Sequence, residues 1–249
     1  MASTETEYPV AVENLHKAFG GQQVLNGVSL QVGRGETLAV LGRSGTGKSV
    51  LLKLLIGLQK PDSGAVKIHQ EDIASLDLPK LNDLRKRIGF LFQQAALYDS
   101  LTVEQNVAFP LSRHSSDPPG KQKERVRELL KSVGMEGHGR KMPSEISGGM
   151  QKRVGLARAL VLDPDILLFD EPTAGLDPIT AAEIGDLIVG LQKKHKLTAI
   201  VVTHDIRGAK AFADRLVLLR DGKIVAEGSF ADLQKSRDEF VTQFVGSLC

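Results

Sequence analysis

The chain has 249 residues, a length that suits one large domain or two closely joined ones. Its 32 Lys and Arg against 30 Asp and Glu leave a formal charge of +2, without the basic excess of a dedicated nucleic-acid binder, so no nucleic-acid partner is expected. The one cysteine, Cys249, permits no intrachain disulfide and fits a reducing compartment, while 25 glycines exceed the average usage of about 7% and point to backbone used without side chains.

The N-terminus, MASTETEYPV, is polar and acidic and does not read as a signal peptide. Short strands are expected at Val10–Glu13, Val28–Val32, Thr37–Leu41 and Ala65–Ile68, separated by glycine turns. One helix, Lys48–Ile56, follows the third strand directly. The middle, from about Ala95 to Leu162, reads as helical: Lys121–Ser132 is amphipathic behind a Ser-Ser-Asp-Pro-Pro-Gly linker, and a further helix starts near Gly149. Then strands and helices alternate: Ile166–Asp170, Ile179–Lys194, Thr198–Thr203 and Ile206–Ala213. Apolar strands alternating with helices predict a parallel sheet covered on both faces. Arg215–Leu219 and Lys223–Glu227 flank Asp221-Gly222, a hairpin turn, and Asp238–Leu248 reads as a short closing helix. The most apolar windows, Val50–Leu58, Ile166–Phe169 and Ala199–Val202, fall far short of the ~18–20 residues of a membrane helix.

Residues 42–49 read GRSGTGKS and fit the pattern G-x-x-x-x-G-K-[ST]. Between an apolar strand and a Leu-rich helix, this string makes a phosphate cradle. Its backbone, through Gly42, Arg43, Ser44, Gly45, Thr46 and Gly47, curls so that successive N–H groups point at the phosphates, and the helix adds its positive dipole end. Lys48 reaches the β- and γ-phosphates, Ser49 offers a hydroxyl to Mg²⁺, and Val50 completes the candidate set.

Residues 166–171 read ILLFDE, an apolar run ending in two carboxylates. A buried parallel strand presents its C-terminal end to the ligand crevice. Asp170 is therefore expected beside the cradle as a Mg²⁺ holder, and Glu171 as the general base that aligns and deprotonates the attacking water.

Residues 146–151 read ISGGMQ, and a helix begins there. Ser147, Gly148 and Gly149 at its N-terminus form a second anion site. One nucleotide does not need two cradles from one chain, but two chains facing head to tail give each nucleotide one of each. In these motifs the chain resembles the ATP-binding-cassette (ABC) ATPases, and ISGGMQ resembles their signature, with Ile146 where leucine is more usual. The resemblance runs over about residues 8–235. It implies an α/β P-loop NTPase (RecA-like) fold: a parallel-sheet core, an N-terminal antiparallel β subdomain and a helical subdomain inserted at about 95–162. Residues 236–249 are then a short helical tail. ATP, Mg²⁺ and ATP hydrolysis are implied with the fold. By the same resemblance, Phe19 takes the place of the aromatic that stacks on adenine. Gln93, in GFLFQQ, takes that of the Q-loop glutamine that touches Mg²⁺ or the attacking water, with Gln94 as the alternative. Asp177, in AGLD, matches the D-loop residue that works across the dimer, and His204, in VVTHD, the switch histidine that contacts the γ-phosphate.

The remaining histidines (16, 69, 114, 138 and 195) read as surface residues, Arg85-Lys86-Arg87 and Lys193–Lys196 as solvated helix faces, and Cys249 as inert. FLFQQAALYDSLTVEQNVAFPL, SGGMQKRVGLARAL and DEPTAGLDPIT together look like the ATPases of Mce/Mla-type lipid-trafficking systems. That likeness implies a second copy of the chain, an integral membrane permease and an Mce-domain lipid-binding protein as partners, with a STAS-domain regulator in some systems. It also implies a peripheral position on the cytoplasmic face of a bacterial inner membrane. In the transporter members a short helix of the membrane subunit docks beside the Q-loop, which makes Ala95, Ala96, Leu97 and Tyr98 the candidate surface, with a place in the core as the alternative for so apolar a stretch. The alternatives are an importer ATPase for a small polar solute such as an amino acid, and a non-transport ABC ATPase.

Overall fold

In chain order, the elements are β1 (Val10–Phe19), β2 (Gln22–Val32), β3 (Thr37–Leu41), α1 (Lys48–Leu55), β4 (Ser63–Ile68), β5 (Glu71–Asp72), α2 (Leu78–Lys86), β6 (Ile88–Leu91), α3 (Val103–His114), α4 (Pro119–Ser132), α5 (Gly148–Leu160), β7 (Ile166–Asp170), α6 (Pro178–His195), β8 (Thr198–Thr203), α7 (Ile206–Phe212), β9 (Arg215–Arg220), β10 (Lys223–Gly228), α8 (Phe230–Gln234) and α9 (Glu239–Gly246). This computed structural model describes residues 8–246, so Cys249 lies outside the described residues. No helix among those residues is long and apolar enough to cross a membrane.

Two sheets organise the chain. Strands β2, β1, β4 and β5 form an antiparallel sheet, and a six-stranded sheet has the order β10-β9-β3-β8-β7-β6. In the larger sheet, β9, β3, β8, β7 and β6 run parallel, and only the β9–β10 hairpin is antiparallel. The expected α/β architecture is therefore present, with the antiparallel sheet at the N-terminal end of the sequence.

Strand β3 shows why this sheet is buried on both faces. Successive side chains alternate in direction: Leu38 and Val40 pack with α1 and the antiparallel sheet, whereas Ala39 and Leu41 pack with the helices of the other face. All four are fully buried. At about 1.5–3 kcal/mol for each buried Val or Leu, such strands anchor the two layers to each other. The second core also takes in Val107 of α3, Val126 of α4 and Val154 of α5, so the helical segment shares a core with the sheet.

Several elements differ from the sequence reading. Strands β1 and β2 are much longer than expected, because register shifts after Val12, Leu15 and Lys17, with Asn14 at φ 44°, scramble the alternation that marks a strand. Strands β5 and β6 and helix α8 have no counterpart in the sequence reading, and α2 has one only in the helix face read at Arg85-Lys86-Arg87. Arg85 is not a solvated face residue: its guanidinium donates to the carbonyls of Ile56 (2.9 Å) and Gly57 (3.0 Å), closing the C-terminal end of α1. Nor are the histidines mostly surface residues. His16, His69, His138 and His195 are half-buried, and His69 shares Asp165 with Arg87. Ala95 belongs to the core rather than to an exposed docking surface.

Candidate active site

Parallel pairing brings three strand ends together. Leu41 of β3 is in register with Thr203 of β8, and Asp170 of β7 with Val202 of β8. The loop after β3, the carboxylates after β7 and His204 after β8 therefore meet at one edge of the sheet. This is where open α/β sheets bind ligands.

The loop from Gly42 to Gly47 reaches α1 through Gly47, at φ 97°, which caps the helix. A Cβ on Gly47 would lie 2.8 Å from Leu25 Cδ2 and 2.9 Å from the Val24 carbonyl, so both the backbone angle and the space require glycine. Lys48 then turns back into the loop. Its Nζ donates to the carbonyls of Gly42 (2.8 Å) and Arg43 (3.0 Å) and lies 3.6 Å from Glu171 Oε1. Burial pushes the Lys48 ammonium below its usual range, and the nearby Glu171 and Asp170 charges partly offset this.

Ser49 Oγ donates to Asp170 Oδ1 at 2.9 Å. Burial pushes the Asp170 carboxyl above the usual range; the Ser49 hydrogen bond acts against this, and the adjacent Glu171 charge reinforces it. Glu171 is 9% exposed and sits at φ 47°, in the left-handed region. Its Oε2 accepts from Thr203 Oγ1 (3.0 Å), from the His204 backbone N–H (3.3 Å) and from His204 Nδ1 (3.0 Å). A carboxylate only accepts, so Nδ1 carries the proton in this contact.

A cavity of about 870 Å³ opens over these groups, lined by Arg43, Ser44, Gly45, Gly47, Lys48, Ser49, Val50, Gln93, Glu171 and His204. Gln93 lines it and Gln94 does not. Asp170 stands behind Ser49, and Thr46 faces a neighbouring cavity while its hydroxyl donates to the Arg43 carbonyl. Phe19, at the end of β1, is 44% exposed with the Lys17 ammonium 5.2 Å from its ring centre. It is not part of the lining; Gln22 and Val24 of β2 are.

The signature segment lies outside this cavity. Ser147 caps α5, accepting from the Met150 N–H at 3.3 Å, and Ser147 and Gly148 are exposed. Gly149 is buried against Thr180 of α6. Asp177 caps α6 through the N–H groups of Ile179 and Thr180 and the Thr180 hydroxyl, contacts that hold its carboxyl below the usual range. The structure thus gathers the cradle, the two carboxylates, Gln93 and His204 in one place, and leaves Ser147 and Gly148 facing outward on the same molecule, with Gly149 buried behind them.

Sequence reasoning missed one wall. Phe244 of α9 lines the cavity, and Phe240, one turn earlier, has the Arg220 guanidinium 4.6 Å and the Arg43 guanidinium 5.8 Å from its ring centre. The available signal was the pairing of Phe240 with Phe244 and of Val241 with Val245 at helical spacing; the two valines are buried.

The profile of the family described as ABC transporter matches residues 25–174. The intermembrane phospholipid transport system ATP-binding protein MlaF of Haemophilus influenzae is 40% identical over 236 residues, 95% of this chain and 89% of that protein. The methionine import ATP-binding protein MetN of Caulobacter vibrioides is 43% identical over 216 residues, 87% of this chain and 65% of that protein. The dimeric, post-hydrolysis structure of the ATP-binding cassette MJ0796 bound to ADP and Pi superimposes with a TM-score of 0.81 at 36% identity, over 88% of this chain and 98% of that one. The profile spans more than half of the chain and covers the cradle, the signature and both carboxylates, so the chain belongs to the ABC transporter family as an ATP-hydrolysing cassette.

Proposed function

We propose that this cassette drives the movement of phospholipids or related lipids between envelope membranes through a separate permease, working as a pair of identical chains. The observation that carries the lipid assignment is the match to the phospholipid-transport relative over nearly the full length of both proteins. Met150, the run Gly155-Leu156-Ala157-Arg158 and Pro178-Ile179-Thr180 support it, as the residues through which the chain resembles lipid-trafficking ATPases. A Mce-domain partner, a STAS-domain regulator and attachment to the cytoplasmic face of the inner membrane belong to the same proposal. Methionine or another small polar solute is the second reading, favoured by the 43% identity to the import relative.

The proposed mechanism combines the site with the roles that the family resemblance implies. Two chains close head to tail, and each ATP lies between the cradle of one and Ser147–Gly149 of the other. Lys48, already held over the loop by two carbonyls, binds the β- and γ-phosphate oxygens. Ser49, Asp170 and Gln93 offer a hydroxyl, a carboxylate and an amide oxygen, a hard-oxygen set that fits Mg²⁺. When bound, that ion neutralises phosphate charge. Glu171 accepts the proton of the attacking water, and His204 contacts the γ-phosphate. Phe19 stacks on the adenine, and Asp177 acts across the dimer. Positioning and charge stabilisation account for most of the rate gain in such reactions.

The permease docks beside Gln93. A cavity of about 590 Å³ there is lined by Phe90, Phe92, Ala96, Tyr98, Phe109 and Arg158, among others. Phe92 and Tyr98 are 37% and 47% exposed, which leaves an apolar patch for a short partner helix.

Purification of the tagged chain from native membranes in mild detergent tests the proposal. Co-purification of a permease, an Mce-domain protein and phospholipid is expected. Recovery with a permease and an amino-acid-binding protein, free of lipid, would overturn the lipid assignment.

A further inference from the structure

Lys152 is a buried cation without an acidic side chain at ion-pair distance among the described residues. It lies on α5, one turn beyond the signature segment, and is 4% exposed between the core residues of that helix. Its Nζ donates to two backbone carbonyls, those of Gln93 and Glu171, the latter at 3.2 Å. An ammonium in the interior is costly, and burial accordingly pushes the Lys152 pKa down, with the Asp170 and Glu171 charges acting against this. A neutral apolar residue would fill the same space without that cost. Beyond its attraction to those two carboxylates, the ammonium adds a tie between two separate loops, one carrying Gln93 away from β6 and one carrying Glu171 away from β7.

Both loops need such a tie. Glu171 holds a left-handed backbone at φ 47°, and Ala95 and Ala96 do so at φ 57° and 46°. Each of these conformations carries a cost in a non-glycine residue. Arg158, on the same face of α5, donates to the carbonyls of Ala95 (2.6 Å) and Ala96 (2.8 Å). Between the two cations, Gly155 allows close approach: a Cβ there would lie 2.7 Å from Leu91 Cδ1 and 3.3 Å from Ala95 Cβ. One face of the signature helix therefore grips the segment from Gln93 to Ala96, and Lys152 extends the grip to Glu171.

We propose that Lys152 is a positioning residue for hydrolysis: it fixes the backbone of Gln93 and Glu171 relative to each other and to the helix that starts at Ser147. It does not touch the nucleotide. The inference rests on the reading of Glu171 as the base and Gln93 as the glutamine that touches Mg²⁺ or the attacking water. Misplacing a catalytic group by about 1 Å can cost a factor of 10².

The test uses the full chain and its basal ATP hydrolysis. Lys152→Met keeps the length and apolar stem but removes the donor, whereas Lys152→Gln keeps a neutral donor. For Lys152→Met we expect kcat to fall by about tenfold or more while the Kd for a fluorescent ATP analogue stays within about twofold of the parent. Lys152→Gln should recover most of the loss. In a Glu171→Gln background, Lys152→Met should lower the residual rate by a much smaller factor. A Lys152→Met chain that folds and hydrolyses ATP at the parental rate overturns the proposal, as does a loss that Lys152→Gln leaves uncorrected. Hydrogen exchange on the unmodified chain supplies an independent readout. Residues 92–97 and 170–175 should gain protection together when ATP binds, and a change confined to one of them also overturns the proposal. A parental chain without ATPase activity would instead refute the reading of the site, not the role of Lys152.

Discussion

The His204 imidazole donates through Nδ1 to Glu171 Oε2 at 3.0 Å, so the group assigned to the γ-phosphate is bonded directly to the group assigned to the water. Thr203 Oγ1 and the His204 N–H complete the acceptor set of that oxygen, while Lys48 stands 3.6 Å from the other. Glu171→Gln preserves size and most of these contacts and removes the basic oxygen. Binding of ATP should persist and dimers should accumulate, while single-turnover hydrolysis falls by about 10²–10⁴. Hydrolysis at the parental rate would place the base elsewhere.

The outward-facing Ser147 and Gly148 at the start of α5 predict that each site is shared between chains. Lys48→Ala removes the cradle cation, and Ser147→Arg blocks the anion site at the start of α5. Each variant should be inactive alone. Mixed in equal amounts, they form dimers in which one site carries both defects and the other carries neither. Steady-state hydrolysis should then return in part, in proportion to the fraction of mixed dimers. Complete absence of recovery in a mixture proven to contain mixed dimers would mean that each chain works alone.

His195, in the last turn of α6, supplies a pH prediction. Burial lowers its pKa from 6.5, and the Lys194 and Arg125 charges act in the same direction, against a smaller opposing effect of Asp163. The unfolded chain therefore takes up this proton first as the pH falls, and stability is lost from about 6.5 downward until the folded-state pKa is passed. His195→Gln removes that uptake. Thermal unfolding should show the Tm of the variant gaining on the parent below pH 6.5, with a constant difference above it. A constant difference across pH 5–8 would show that His195 titrates alike in both states.

The cradle, the carboxylates and His204 were legible because each lies at a strand end, where a short apolar run followed by a functional group is visible in one dimension. The parallel register of β3, β7 and β8 then does the assembly. What the sequence concealed has a different physical character. The bulges of β1 hide its alternation, and Arg85 and Lys152 bond to carbonyls that no side-chain pattern records. The place of α9 was equally hidden. Its amphipathic spacing marks a helix, but nothing local says that the helix comes to rest against Arg43, some two hundred positions earlier.

That contact makes the tail a wall of the candidate site. Phe240 lies against Arg43, the second residue of the cradle, and Phe244 lines the cavity itself. A cation over an aromatic face contributes about 0.5–2 kcal/mol, depending on its exposure to solvent. Phe240→Ala should free Arg43 and weaken ATP binding by about threefold to tenfold, with kcat nearly unchanged, since no group assigned to the chemistry moves. Phe244→Ala should act in the same direction by removing apolar surface from the cavity. Val241→Ala provides the control. Val241 is fully buried on the inner face of α9, so truncating it loosens the whole helix and should lower Tm as well as affinity. Isothermal titration with ATP and steady-state kinetics on the three variants separate these outcomes. Parental affinity in both Phe240→Ala and Phe244→Ala would remove the tail from the site.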